Sequence, residues 1–143
     1  MSRDAAAAPP ALAHIAIVVH DLEAQAALPV QVLGLRVHRR TTVPGEGVAV
    51  SFVPVGKAEI ELVQPLQPDG PLAKFLRSRG EAVHHLALSV PDLTSAIARA
   101  EAAGLRFAGA VPRPGAHGSQ VAFLHPAGLN GLVVELVELV EGG

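Results

Sequence analysis

The sequence predicts an α+β fold of two tandem βαβββ modules packed around a pseudo-twofold axis. Three observations predict it: an internal repeat over most of the chain, period-two apolar patterning in short segments, and a helix signal at the same place in each copy. The repeat opens with His14-Ile-Ala-Ile-Val-Val-His-Asp-Leu22, which aligns without a gap with His85-Leu-Ala-Leu-Ser-Val-Pro-Asp-Leu93. Leu33-Gly-Leu-Arg-Val37 then matches Ala103-Gly-Leu-Arg-Phe107, Phe52 falls opposite Phe123, and Ile60-Glu-Leu-Val63 matches Val134-Glu-Leu-Val137. Four landmarks in the same order mark a duplicated module of about seventy residues.

Each element follows from local pattern. The first strands, His14–Val19 and His85–Val90, are short and rich in Val, Ile and Leu. Asp21 and Asp92 follow them as helix N-caps, with carboxylates placed to accept from free backbone N–H groups. In the second helix Leu93, Ile97 and Ala100 recur at helical spacing and Gly104 ends it. The first helix is weaker, because Pro29 breaks it near its end. Three strands follow each helix: 35–42, 49–55 and 59–64 in the first copy, and 105–111, 119–125 and 132–137 in the second. Gly56-Lys57 and Ala127-Gly128 mark the turns. Residues 1–12, rich in Ala and Pro, read as a flexible tail before one domain at 13–143. That domain comprises module one (13–66), a linker (67–83) and module two (84–138). Inside the linker, 71–79 forms a short helix with Leu72, Phe75 and Leu76 as its apolar side.

Composition excludes several functions. The chain of 143 residues has no Cys, so disulfides, thiolate ligands and a Cys nucleophile are out, and the cytoplasm is the default compartment. A net charge of -2, no Tyr or Trp and only 4 Phe argue against nucleic acid, and no apolar run is long enough to span a membrane. The small basic clusters Arg36, Arg39, Arg40 and Lys74, Arg77, Arg79 read as solvated surface, with a landing site for phosphate as the alternative.

The chemistry-bearing residues sit at equivalent places. Strand side chains alternate faces. Ile15, Ile17 and Val19 share the helix side of the first strand, and His14, Ala16 and Val18 face away. Leu86, Leu88 and Val90 repeat this on the fifth strand, with His85, Ala87 and Ser89 opposed. On the last strands Ile60 and Leu62, and Leu132, Val134 and Leu136, point to the helix side, while Glu61 and Glu135 point away. A lone carboxylate within an apolar strand is costly unless it is paired or bound to metal, and here that cost recurs at equivalent positions. Packed around a twofold axis, His14, Glu61, His85 and Glu135 converge. Two imidazoles, two carboxylates and two waters make an octahedral site for a divalent transition ion. His84 falls on the opposite face of its strand and is left out. His20, His38, His117 and His125 have no repeat partner of the same type. His125 reads as structural, and His117 lies in a loop (112–119) that either closes over a ligand or merely connects two strands.

This pattern resembles the vicinal oxygen chelate (glyoxalase/bleomycin resistance) superfamily and, within it, the methylmalonyl-CoA epimerase family, from His14 to about Glu138. The most specific segments are Glu59-Ile-Glu-Leu-Val-Gln-Pro-Leu66, Pro71-Leu-Ala-Lys-Phe-Leu76 and Gly80-Glu-Ala-Val-His-His-Leu-Ala87. They are joined by Pro112-Arg-Pro-Gly115, Phe123-Leu-His-Pro126 and Val133-Val-Glu-Leu-Val137. The resemblance implies His14, Glu61, His85 and Glu135 as metal ligands, with Gln in place of Glu61 in some members, and a homodimer. It implies a divalent ion, with cobalt first and zinc, manganese or nickel as alternatives. The implied reaction interconverts the R and S forms of an acyl-CoA substrate by removing its α-proton through a metal-stabilised enolate. Glu135 is then the first choice as base and Glu61 the second acid/base, with His117 or a water in its stead. Some members carry a Glu base where this chain has Val50, and an aromatic pair where it has Leu28 and Pro29. Other readings of the same fold are a glyoxalase-type lyase, a ring-cleaving dioxygenase and a non-enzymatic small-molecule binder.

Overall fold

The computed structural model describes residues 9–24, 32–38, 40–129 and 132–139. The chain divides into two compact units, His14–His85 and the combination of Met1–Ala13 with Leu86–Gly143. The strands are β1 (Ala11–Val18), β2 (Thr41–Val43), β3 (Val48–Val55), β4 (Ala58–Pro65), β5 (Ala82–Ser89), β6 (Phe107–Pro114), β7 (Gln120–Leu124) and β8 (Val134–Glu138). Among the described residues, two complete α-helices accompany them, α1 (Pro71–Arg79) and α2 (Leu93–Ala102). Among the described residues no helix is long and apolar enough to cross a membrane.

In the first unit the strands lie in the order β2-β3-β4-β1, and in the second the order β6-β7-β8-β5 repeats it. In both, the hairpin strands pair antiparallel, and the last strand of the module pairs parallel with the first. The backbone junctions match too. Val19 N–H donates to Val63 O at 2.9 Å, and Val90 N–H donates to Val137 O at 2.8 Å. The repeat read from residue identities is therefore a repeat of topology and register.

For Ile17, Val19, Ile60, Leu62, Leu88, Val90, Val134 and Leu136 the expected faces are the observed ones. In the first unit Val19, Leu22, Ala49, Val53 and Leu62 form a buried cluster, with Ile17, Leu35, Val37 and Ile60 packed against it. In the second, α2 lays Leu93, Ala96 and Ile97 on Val90, Ala122, Leu124, Val134 and Leu136. Burial of such side chains is the main driving force, at about 1.5–3 kcal/mol for each large aliphatic side chain. On the opposite face of the second unit Ala87, Val121 and Val137 are buried with Ala13 and Phe123 against them.

Asp92 caps α2 as expected: its Oδ1 accepts from Ser95 N–H at 3.1 Å and its Oδ2 from the Ser95 hydroxyl at 2.7 Å. Gly104, at φ +90°, follows the helix in a conformation that favours glycine. The Ser95 hydroxyl first, and the Ser95 N–H second, hold the exposed Asp92 carboxyl below its ordinary pKa. A depressed carboxyl stabilises the fold above its unfolded pKa and loses that contribution as pH falls through the folded one. Asp92→Ala is therefore expected to lower the thermal midpoint by a few degrees at neutral pH, with the gap narrowing in acid. A gap that holds or widens on acidification in a pH series of melts would contradict this account of the cap.

Several expectations need correction. β1 begins at Ala11, three residues before His14. The strand expected over 35–42 is only Thr41–Val43. Leu35 and Val37 still reach the core, and His38 N–H donates to Phe52 O at 2.7 Å. That bond is one residue out of step with the Thr41↔Val50 register, so no continuous ladder forms. The strands expected over 105–111 and 132–137 start later, at Phe107 and Val134. Leu132 does not face α2. It closes a turn through its N–H to Leu129 O at 3.1 Å and is 50% exposed. For the first helix, residues 22–24 and 32–33 are helical, while residues 25–31, with Leu28 and Pro29, lie outside the described residues.

Candidate metal and acid–base site

The first unit brings His14 close to both Glu61 and His85. His14 leaves β1 on the face away from the apolar cluster, the face shared by Ala16. Ala16 pairs with Glu61 on β4, and Glu61 pairs in turn with Phe52 on β3. The small Ala leaves room above the strand, and Phe52 closes one side, its ring 6.4 Å from that of His14 and nearly perpendicular. His14 Nε2 lies 3.6 Å from Glu61 Oε2 and 3.4 Å from His85 Nε2. Glu61 and His85 are both buried.

The second unit repeats the frame around Glu135. Ala87, two residues beyond His85 on β5, pairs with Glu135 on β8, and Glu135 pairs with Phe123 on β7. Glu135 is buried, at 7% exposure, almost the same as Glu61 at 9%. Beside it the Arg113 guanidinium lies 5.1 Å above the Phe123 ring.

The His14–His85 pair in the first unit fits a divalent ion. Two imidazole nitrogens bound to one ion at about 2.1 Å stand roughly 3.0–3.4 Å apart for ligand angles from about 90° to about 110°. The two Nε2 atoms meet that spacing at 3.4 Å. The imidazole and carboxylate donor set is the one expected for a transition ion. Burial also raises the cost of a carboxylate charge there, which a cation offsets.

Residue types and spacing did not reveal three further side-chain contacts made from these strands. Gln64 and Glu138, each three residues beyond a Glu, cap helix starts. Leu22 N–H donates to Gln64 Oε1 at 3.1 Å, and Leu93 N–H donates to Glu138 Oε1 at 2.7 Å. The offset from Glu61 and Glu135 was the available signal. The third is His84, excluded above because alternation turns it to the other face. Its Nδ1 lies 2.8 Å from Nδ1 of His85, so the two rings meet edge to face across the strand. The loop carrying His117 is knitted by its own hydrogen bonds. Gly115 N–H donates to Ser119 O at 2.9 Å, and the Ser119 hydroxyl donates to Ala116 O at 2.7 Å. His117 itself is exposed, with a positive φ of 56°. His125 Nδ1 accepts from Ala127 N–H at 3.1 Å in the turn before β8.

Comparison with known proteins agrees with this frame. Residues 13–123 match the Glyoxalase/Bleomycin resistance protein/Dioxygenase superfamily. The chain is 41% identical over 130 residues to the ethylmalonyl-CoA/methylmalonyl-CoA epimerase of Cereibacter sphaeroides, covering 90% of this chain and 97% of that one. It is 37% identical over 126 residues to the mitochondrial methylmalonyl-CoA epimerase of Homo sapiens, covering 87% and 72%. A solved structure of the Streptomyces coelicolor methylmalonyl-CoA epimerase, in complex with 2-nitronate-propionyl-CoA, superposes with a TM-score of 0.86 at 29% identity, covering 91% of this chain and 94% of that one. The chain thus has the vicinal oxygen chelate fold and belongs to the methylmalonyl-CoA epimerase family of the glyoxalase/bleomycin resistance/dioxygenase superfamily.

Proposed function

We propose that this enzyme interconverts the R and S forms of methylmalonyl-CoA by removing the α-proton from one face and returning a proton to the other. The observation that carries the reading is the buried pair of carboxylates, Glu61 and Glu135, held in one register on equivalent strands. In this reading His14, Glu61, His85 and Glu135 hold a divalent ion, with cobalt the first choice. Glu135 enters the set as the repeat partner of Glu61. When bound, the ion would draw electron density from the thioester and carboxylate oxygens and so acidify the C–H between them.

The protein's own groups do the rest. Glu135 takes the α-proton. Glu61 serves the other face. Val50, buried on β3, adds no further base at the position where some family members have one. Phe52 and Phe123 wall the two carboxylates on the hairpin side and limit water around a developing negative charge. The nitronate in the ligand of the Streptomyces relative is planar and anionic, as a substrate that has lost its α-proton would be. The reading carries with it the family's expected homodimer, which sedimentation would check against a monomer.

The test is loss of optical activity from a single stereoisomer of methylmalonyl-CoA, run beside ethylmalonyl-CoA. Racemisation that needs a divalent ion supports the reading, and the faster substrate defines the acyl preference. A metal-loaded protein that leaves both thioesters stereochemically intact contradicts it.

A further inference from the structure

His84 is the residue that an alternating strand should keep away from the site, yet it touches His85. The Nδ1 atoms of the two rings are 2.8 Å apart. A contact of that length between two neutral imidazoles requires one N–H and one lone pair. The His85 ring presents its other nitrogen, Nε2, to His14 at 3.4 Å and so towards the candidate metal position. The His84 ring is itself held from behind. Phe75 of α1 meets it edge to face at 5.0 Å and 85°, and the Arg79 guanidinium lies 5.6 Å over the outer face of Phe75. A stack of Arg79, Phe75 and His84 therefore runs from the surface of α1 to the back of His85, all within one unit.

We infer that His84 is a positioning residue: its Nδ1 accepts a hydrogen bond from His85 Nδ1–H and so leaves the lone pair of His85 on Nε2, where an ion would be bound. The reverse arrangement, with His84 donating, would put the His85 proton on Nε2 and block that nitrogen. The short linker helix thereby gains a role besides joining the two repeats, since Phe75 fixes the plane of the ring that sets the His85 tautomer. The usual partners for a ligating histidine are a carboxylate, a backbone carbonyl or water. Here a second imidazole takes that place. The inference rests on the reading of His85 as a metal ligand, but the state of the His85 ring is measurable without metal.

The test uses the full-length, metal-free protein labelled with ¹⁵N in its histidines, at alkaline pH where imidazoles are neutral. Long-range ¹H–¹⁵N spectra distinguish the two tautomers. His85 in the wild type is expected as the Nδ1–H form. His84→Leu should shift it to a mixture or to the Nε2–H form and weaken Co²⁺ binding by about 10–100-fold, the range seen when the partner of a metal-binding histidine is removed. His84→Gln, whose amide oxygen accepts a hydrogen bond, should restore most of both. An Nε2–H wild-type ring overturns the inference, as does a folded His84→Leu protein with an unchanged His85 tautomer and unchanged Co²⁺ affinity. If His84→Leu does not fold, the wild-type tautomer and the Gln variant decide. If the wild type binds no Co²⁺, the metal reading fails by itself, and the tautomer spectra still decide what His84 does to His85.

Discussion

Glu135→Gln is expected to lower the rate of α-proton exchange by about 10³-fold, within the range for removal of a positioned general base. The amide keeps the shape of the side chain and an oxygen donor, but it cannot accept the proton. Because Glu135 is buried beside Phe123 and Ala87 in the middle of β8, an isosteric change there should leave the fold intact. Circular dichroism and a melt would confirm that. Glu61→Gln should behave differently. The equivalent carboxylate sits in the same register, but on the strand nearest His14, and some relatives of this fold have Gln there. A Gln at 61 still offers an oxygen to a cation but moves no proton, so α-proton exchange from the isomer that Glu135 deprotonates is expected within about tenfold of wild type, while inversion slows by about 10²-fold or more. Equal losses of exchange from the two variants would mean that the carboxylates act as a matched pair, and the assignment of Glu135 as principal base would be wrong.

The second large effect concerns the imidazoles. His14→Ala and His85→Ala should each weaken Co²⁺ binding by more than about 100-fold. Losing a direct ligand exceeds the 10–100-fold cost of losing its hydrogen-bond partner. His14→Ala removes no side chain of the apolar core. His14 faces away from the cluster around Val19 and Leu62, so the melting temperature of the metal-free protein should move little. Calorimetric titration with Co²⁺ separates this from a general loss of fold. A folded His14→Ala protein that binds Co²⁺ with wild-type affinity would remove His14 from the ligand set.

The pattern of residues placed side chains on strand faces more clearly than it placed the ends of the elements. Period-two alternation placed His14 and Glu61 on one face of their strands. It did the same for His85 and Glu135, and the register now explains why: an Ala lies across from each Glu, and a Phe lies beyond it. A repeat preserves such positions because it preserves pairing, whereas strand ends depend on tertiary context. Val37 and His38 have strand-like character but fall into a slipped register against Phe52. Leu132 continues an apolar run, yet it is spent on a turn.

Residue type hid the caps from Gln64 and Glu138, since an amide and a carboxylate do not look like a repeated pair although each accepts one helix N–H. Alternation hid His84 for a different reason. It describes where a Cβ points, and an imidazole is long enough to reach back past its own strand. The faces read from pattern are therefore a guide to where side chains start, and ring contacts such as that between His84 and His85 emerge only from three dimensions.

The most direct test of the whole account is deuterium uptake at the α-carbon of methylmalonyl-CoA in D₂O, followed by proton NMR with metal-free protein and after addition of Co²⁺. Exchange is expected to be negligible without the ion, fast with it, and accompanied by inversion of the α-carbon. No exchange with any divalent ion, in a protein shown to bind that ion, would contradict the epimerase reading.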